Sequence, residues 1–325
     1  MTSAPTLALL GGPARSRPVM CLAYHEIASD PCPAIRELGI TTTPAALTHQ
    51  LDHVKRQYQV IGLDQLLAGD IPERAAMITF DDAYRSVREI AAPLLAERRL
   101  PAVMFANPGP VARSTVPLDC LASFFAVTHG VRELARVASA GTSSAETIAG
   151  VMDGCLSQLD LGGLAQVKGR LLARLDLREC DLHRHLGIFM TPADLAALPA
   201  MGVEIANHTM SHVHCGPLGA TDLNTEIVNA KDLLAELSGQ PVRAFAFPWG
   251  RSSDATPAAL QAIRESGHLA TFLMHGRNNH ARPADDIWYR VLMTNQTGAR
   301  LWSALGVEPR LRELKALALA ALGRG

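Results

Sequence analysis

An α/β fold, with a parallel sheet closed into a barrel, is what the sequence predicts, on three observations. Short apolar runs of strand length alternate with stretches of helical periodicity, at spacings that suit crossover connections. Two chemically active groups, Asp81-Asp82 and His208-x-x-x-His212, each directly follow such an apolar run. Active groups at the ends of two different strands fit a barrel whose C-terminal face carries the chemistry.

The elements follow in chain order. Residues 1–17, with Gly, Pro, Ser and Arg, read as a flexible leader. Val19 to Tyr24 reads as a buried strand ending at His25. Pro44 to Tyr58 reads as a helix, because Leu47, Leu51, Val54 and Tyr58 fall on one face. Gln59 to Gly62 is a short strand, and Ala76 to Phe80 a strand that ends at the aspartates. Tyr84 to Arg98 reads as a helix and Pro101 to Ala106 as the next apolar strand. From Arg113 to Leu186 the pattern changes to Leu- and Ala-rich helical spacing without a convincing strand. It is expected to be a helical insertion, about 113–190, forming a cap or side subdomain. Strands resume at Gly202 to Ala206, Arg243 to Phe247, Leu269 to Leu273 and Trp288 to Met293. Helices are expected at Pro192 to Ala200, Asp222 to Ser238 and Thr256 to Ser266. The barrel then spans 18–306, and 307–325 is expected to be a C-terminal helix with Leu311, Leu314 and Leu322 along one side. Its Arg and Lys residues suit peripheral contact with an anionic membrane surface, but packing on the domain is the commoner use of such a face.

Composition narrows the function classes. The 325 residues are 48% hydrophobic and 19% charged, with a net charge of -1. That supports a packed core and argues against a dedicated nucleic-acid binder, which shows a basic excess. Six cysteines are scattered without C-x-x-C spacing and read as free thiols of a reducing compartment. The N-terminal patch Leu7 to Leu10 lacks the basic flank and length of a secretory signal. No apolar run reaches the roughly 20 residues needed to span a bilayer. The expectation is a soluble cytoplasmic protein.

The chemistry rests on one carboxylate and two imidazoles. They form the ligand set of a catalytic divalent-metal site with positions left open for water. Adjacent carboxylates after a strand point apart, so Asp82 can bind the metal while Asp81 faces the reacting water. The metal lowers the pKa of water and polarises a carbonyl, and Asp81 takes the proton. His49 and His53 have the same spacing as His208 and His212, but sit on the solvent face of a helix with no carboxylate motif attached. They read as decoys, as do His183, His185 and the loop pair Asp285-Asp286.

Several blocks resemble the bacterial polysaccharide deacetylases of carbohydrate esterase family 4. These are Tyr24-His25, Thr79-Phe80-Asp81-Asp82-Ala83, His208-Thr209-Met210-Ser211-His212, Phe245-Ala246-Phe247-Pro248-Trp249-Gly250 and Tyr289-Arg290-Val291. The resemblance runs from about Val19 to Met293, interrupted by the insertion. It implies a distorted (β/α) barrel, here of about seven strands. It also implies metal-dependent removal of N-acetyl groups from an amino sugar, glycan or glycoconjugate, with zinc the expected ion. Asp81 then resembles the base, and Asp82, His208 and His212 the metal ligands. The backbone N–H of Trp249 resembles an oxyanion donor, a type of group whose loss in other enzymes costs about 2.7–4 kcal/mol. Ala83 stands where the family writes glycine, so the turn must tolerate a Cβ. Ala246 stands where many members carry an arginine that orients the base, and Arg290 is the substitute expected here. The family's general-acid histidine has no direct match; His275 and His25 are the candidates. Cys215 reads as a buried thiol rather than a soft ligand. Two rival readings stand beside this one. The first is hydrolysis of another amide, such as a formamide or cyclic imide. The second is a carbohydrate-binding relative without catalysis, against which the intact open metal set argues.

Overall fold

The computed structural model describes residues 18–141, 143–275, 279–280 and 287–307. The leader at 1–17, the Asp285-Asp286 pair and nearly all of the C-terminal segment expected at 307–325 lie outside the described residues.

Among the described residues, nine strands occur in the order β1 (Pro18–Tyr24), β2 (Gln59–Val60), β3 (Ala75–Asp81), β4 (Ala102–Ala106), β5 (Val203–Asn207), β6 (Ala244–Ala246), β7 (Ala270–Leu273), β8 (Asn279–His280) and β9 (Ile287–Leu292). Seven of them close a parallel barrel, β1-β3-β4-β5-β6-β7-β9, with β9 returning to β1. The short β2 adds to the edge of β3, and β8 pairs antiparallel with β1. The strands are apolar along nearly their whole length because both faces are covered, as in other parallel sheets. All seven residues of β3 are buried.

Alternation along the strands sorts the side chains into two layers. Val19, Cys21, Met77, Val103, Phe105, Ala206, Ala244, Phe272 and Trp288 form one buried cluster, the barrel interior. Their neighbours Met20, Leu22, Tyr24, Ile78, Phe80 and Met104 belong to another, packed with the helices Pro44–Gln57 and Ala92–Arg98. The inward series on β3 therefore continues from Ala75 and Met77 to Thr79 and Asp81. On β9 it continues from Trp288 to Arg290, and on β5 from Ala206 to His208. Strand parity thus delivers the carboxylate, the arginine and the imidazole to one mouth of the barrel.

The chain between β4 and β5 is helical throughout its regular structure. Its main pieces are Leu118–His129, Val131–Ala138, Leu161–Leu175 and Glu179–Leu186. They share a core of their own, including Leu121, Phe125, Leu134, Val151, Leu171 and Leu182. The expected helix Tyr84 to Arg98 begins one residue later, at Arg85, and passes through a wider π-type turn at Val87–Ala91 into an α-helix at Ala92–Arg98. The reason lies at the strand end. Asp82 and Ala83 take left-handed backbone (φ 70° and 52°), and Tyr84 bridges to Phe189 instead of entering a helix. No helix among the described residues is long and apolar enough to cross a membrane.

Candidate active site

Asp81, Asp82, His208, His212, Trp249 and Arg290 all line one cavity of about 870 Å³ at the barrel mouth. Within it, Asp82, His208 and His212 bring one ligand atom each to within 4.8 Å of one another, all three buried. Asp82 Oδ1 lies 3.3 Å from His212 Nε2 and 3.6 Å from His208 Nε2. That oxygen is buried and has no hydrogen-bond partner. A carboxylate oxygen buried without a donor is costly. A cation held between it and the two imidazole nitrogens would satisfy all three groups, so the donor set fits a divalent metal.

Each imidazole is oriented through its far nitrogen. His208 Nδ1 lies 2.7 Å from the Ala246 carbonyl, which only accepts, so Nδ1 carries the hydrogen and Nε2 keeps its lone pair. His212 Nδ1 lies 2.9 Å from Asp119 Oδ2. Burial opposes a charge on either ring. At His208 burial wins, and the pKa falls to about 3. At His212 the carboxylates of Asp119 and Asp82 outweigh it, and the pKa rises to about 9. Burial likewise raises the Asp82 carboxyl.

Asp81 has a different environment. Arg290 Nη1 donates to Asp81 Oδ1 at 2.6 Å and Nη2 to Oδ2 at 2.9 Å, a bidentate pair. The guanidinium is fully buried, donates also to Thr79 Oγ1 at 3.3 Å, and lies over the Phe105 ring with 4.9 Å to its centroid. Burial alone would raise the Asp81 pKa, but the Arg290 charge overrides it and holds the carboxyl at about 2. The two adjacent aspartates are thereby divided: Asp81 faces an arginine and Asp82 two histidines.

Of the two acid candidates, His25 lines the cavity, with Nε2 3.6 Å from Asp81 Oδ2 and a buried Nδ1 without a partner. His275 is absent from the described lining, and its ring packs edge-on against Tyr289 at 5.4 Å. Trp249 sits in the turn after β6 with φ 54°. Its indole stacks on His214 at 3.9 Å and leans on His212 at 4.4 Å. His214 Nδ1 in turn lies 2.9 Å from Asp254 Oδ2. Cys215 is buried in an apolar cluster with Phe245 and Phe247, apart from the ligand group. His49 is exposed and His53 half-buried, on the outside of the helix Pro44–Gln57.

Sequence reasoning missed Asp119 and the His214–Asp254 pair. The signal for Asp119 was a lone acid inside the apolar run Val116-Pro117-Leu118-Asp119-Cys120-Leu121-Ala122. An unpaired carboxylate is not expected on a buried helix face, so it called for a partner elsewhere.

Residues 68–271 match the model of the family described as polysaccharide deacetylase. Among solved structures, the chain is similar to a Streptococcus pyogenes deacetylase in complex with acetate, at 13% identity and a TM-score of 0.58, covering 89% of this chain and 99% of that one. It is also similar to a de-N-acetylase from Aggregatibacter actinomycetemcomitans, at 18% identity and a TM-score of 0.55, covering 86% and 97%. A polysaccharide deacetylase from Bacillus cereus aligns at 14% identity and a TM-score of 0.56, over 89% of this chain and 69% of that one. At such identities these likenesses speak for the fold. No curated protein sequence matches the chain.

Proposed function

The chain belongs to the polysaccharide deacetylase family of hydrolases, and from that premise we propose that it removes N-acetyl groups from an amino-sugar-containing glycan or glycoconjugate. The observation that carries this reading is the division of labour between the adjacent aspartates, one bound to Arg290 and one converging with two histidines. Asp82, His208 and His212 would hold a divalent cation, for which two nitrogens and one oxygen suit zinc. When bound, such an ion supplies a Lewis acid that acidifies water and polarises the amide carbonyl. Asp81, kept ionised and aimed by Arg290, accepts a proton from the attacking water. The backbone N–H of Trp249 donates to the oxygen that becomes negative in the tetrahedral intermediate. His25, on the same cavity wall, gives a proton to the departing amine, so that water and the amide become acetate and a free amino sugar. Acetate is also the small molecule held by the similar streptococcal deacetylase.

The test is metal analysis of the purified chain together with acetate release from a panel of N-acetylated sugars, nucleotide sugars and lipid-linked glycans. The expected outcome is near-stoichiometric zinc and turnover of at least one member. Asp81→Asn should lose activity while keeping the metal, and His208→Ala should lose both. Undiminished acetate release by either variant refutes the assignment.

A further inference from the structure

His212 takes its orienting partner from the long connection between β4 and β5, outside the barrel strands. Asp119 lies in the first turn of the helix Leu118–His129, inside the long β4–β5 connection, and is only 4% exposed. Its Oδ1 accepts the N–H of Cys120 at 2.8 Å, and its Oδ2 faces His212 Nδ1 at 2.9 Å. The next residue, Cys120, places its Sγ 3.6 Å from the Tyr84 hydroxyl, two residues beyond Asp82. One helical turn therefore touches both ligand-bearing loops.

The two ends of the connection are tied to the same loops. Where the chain leaves β4, the Asn107 side-chain amide donates to the carbonyls of His208 and Thr209, and the Gly109 N–H donates to the Met210 carbonyl at 3.0 Å. Gly109 has no room for a side chain there, since a Cβ would come within 2.6 Å of the Met210 oxygen. Where the chain returns, the Met190 N–H donates to the Ala83 carbonyl at 2.9 Å and the Arg85 N–H to the Ile188 carbonyl at 2.6 Å.

We infer that Asp119 is a positioning residue for His212, and that docking of the helix Leu118–His129 and cation binding by Asp82, His208 and His212 are coupled. A carboxylate on the far nitrogen of a ligating imidazole fixes its tautomer and ring direction and strengthens it as a ligand. Coupling of two equilibria is reciprocal, so the cation holds the helix down as much as the helix prepares the site. The inference rests on the metal-dependent reading of the site but not on the choice of substrate.

Competition of Zn2+ against a chelator of known affinity measures binding with no substrate present. Asp119→Asn keeps the size of the side chain and the acceptor for Cys120, and should weaken zinc binding about 10–100-fold. Asp119→Glu, which restores the charge, should recover part of the loss. Hydrogen exchange of the wild-type chain supplies an arm independent of any variant's folding: amides of residues 118–129 should slow when zinc is added to the stripped protein. A folded Asp119→Asn chain with zinc affinity within about threefold of wild type overturns the inference, as does exchange in 118–129 that ignores zinc. A wild-type chain that takes up no zinc overturns both the inference and the metal-dependent reading. Failure of acetate release alongside the expected loss of zinc affinity overturns only the substrate assignment and supports the coupling.

Discussion

At the level of single residues, the pairing of Asp81 with Arg290 buries two opposite charges against each other. Two full charges lie in the barrel interior, 2% and 0% exposed. Breaking such a pair by removing one partner typically costs about 3–5 kcal/mol, because the remaining charge is left buried. Arg290→Met should therefore lower stability by about that much, read by urea unfolding at neutral pH. The pH dependence has a definite sign. Asp81 titrates at about 2 in the fold, below its ordinary value of 3.8. Its contribution is complete above the ordinary value and disappears as pH falls through about 2. The deficit of Arg290→Met should shrink from pH 7 toward acid, and a pH-independent deficit would remove the ion pair as its cause. Without the arginine, burial pushes the Asp81 carboxyl up, so kcat at neutral pH should also fall, by about 10²–10⁴-fold if Asp81 is the base. At this scale the sequence was readable where a residue sits in a motif. Arg290 could be proposed from the block Tyr289-Arg290-Val291 because Ala246 stands where many members carry the orienting arginine, and in the fold strand parity carries it inward. Asp119 could not be paired with His212, since nothing local ties a helix turn to a loop so distant in the chain.

The turns that follow the strands concentrate backbone strain. Asp82, Ala83, Thr209, His212 and Trp249 all have positive φ, and all belong to the loops after β3, β5 and β6. Such conformations are costly for residues with a Cβ and persist where surrounding contacts enforce them. Asn207 Oδ1 and Thr209 Oγ1 supply that enforcement in the histidine loop, accepting the N–H groups of Thr209 and His212 at 3.1 and 3.0 Å. After β6 the enforcement is steric. Gly250 has φ 62°, its N–H bonds the Phe247 carbonyl at 3.0 Å, and a Cβ there would overlap the backbone and side chain of Met274. Gly250→Ala should thus displace the Trp249 peptide and cost about 10²–10³ in kcat, the range for loss of one oxyanion donor. KM should change little, and circular dichroism should stay native. A large rise in KM with kcat intact would place Trp249 in substrate binding instead. These turns also explain where element boundaries escaped the sequence. The helical periodicity from Tyr84 onward is genuine, and the left-handed pair Asp82-Ala83 moves the helix start only to Arg85. The exchange of the family's glycine for Ala83 marked this turn in the sequence, and the alanine takes the left-handed conformation there at φ 52°.

At the scale of the whole molecule, barrel closure and the β4–β5 connection act on one cavity. The seven barrel strands neighbour one another in chain order through parallel crossovers, which is why the fold class was legible in the sequence. The inward face of each strand was less so, because both layers are apolar. The polar positions Thr79, Asp81, His208 and Arg290 mark which side chains face the mouth. The connection was legible as helices, yet its docking side was not, since its apolar face serves a core of its own. The salt bridge between Arg251, just past the Trp249 turn, and Asp153 in the connection ties it to the third loop as well. All three loops and the connection thus share contacts that a cation at Asp82, His208 and His212 would stabilise together. A ligand present at 100 times its dissociation constant adds about 2.7 kcal/mol to the folded state. For a chain of this size each kcal/mol moves the unfolding temperature by roughly 2–4 °C or slightly less. Chelation should therefore lower Tm by about 5 °C, and zinc should restore both Tm and activity. His208→Ala should melt at one temperature with or without zinc. A Tm in the wild-type chain that is indifferent to chelation would mean that no cation joins these loops, and the metal-dependent chemistry would go with it.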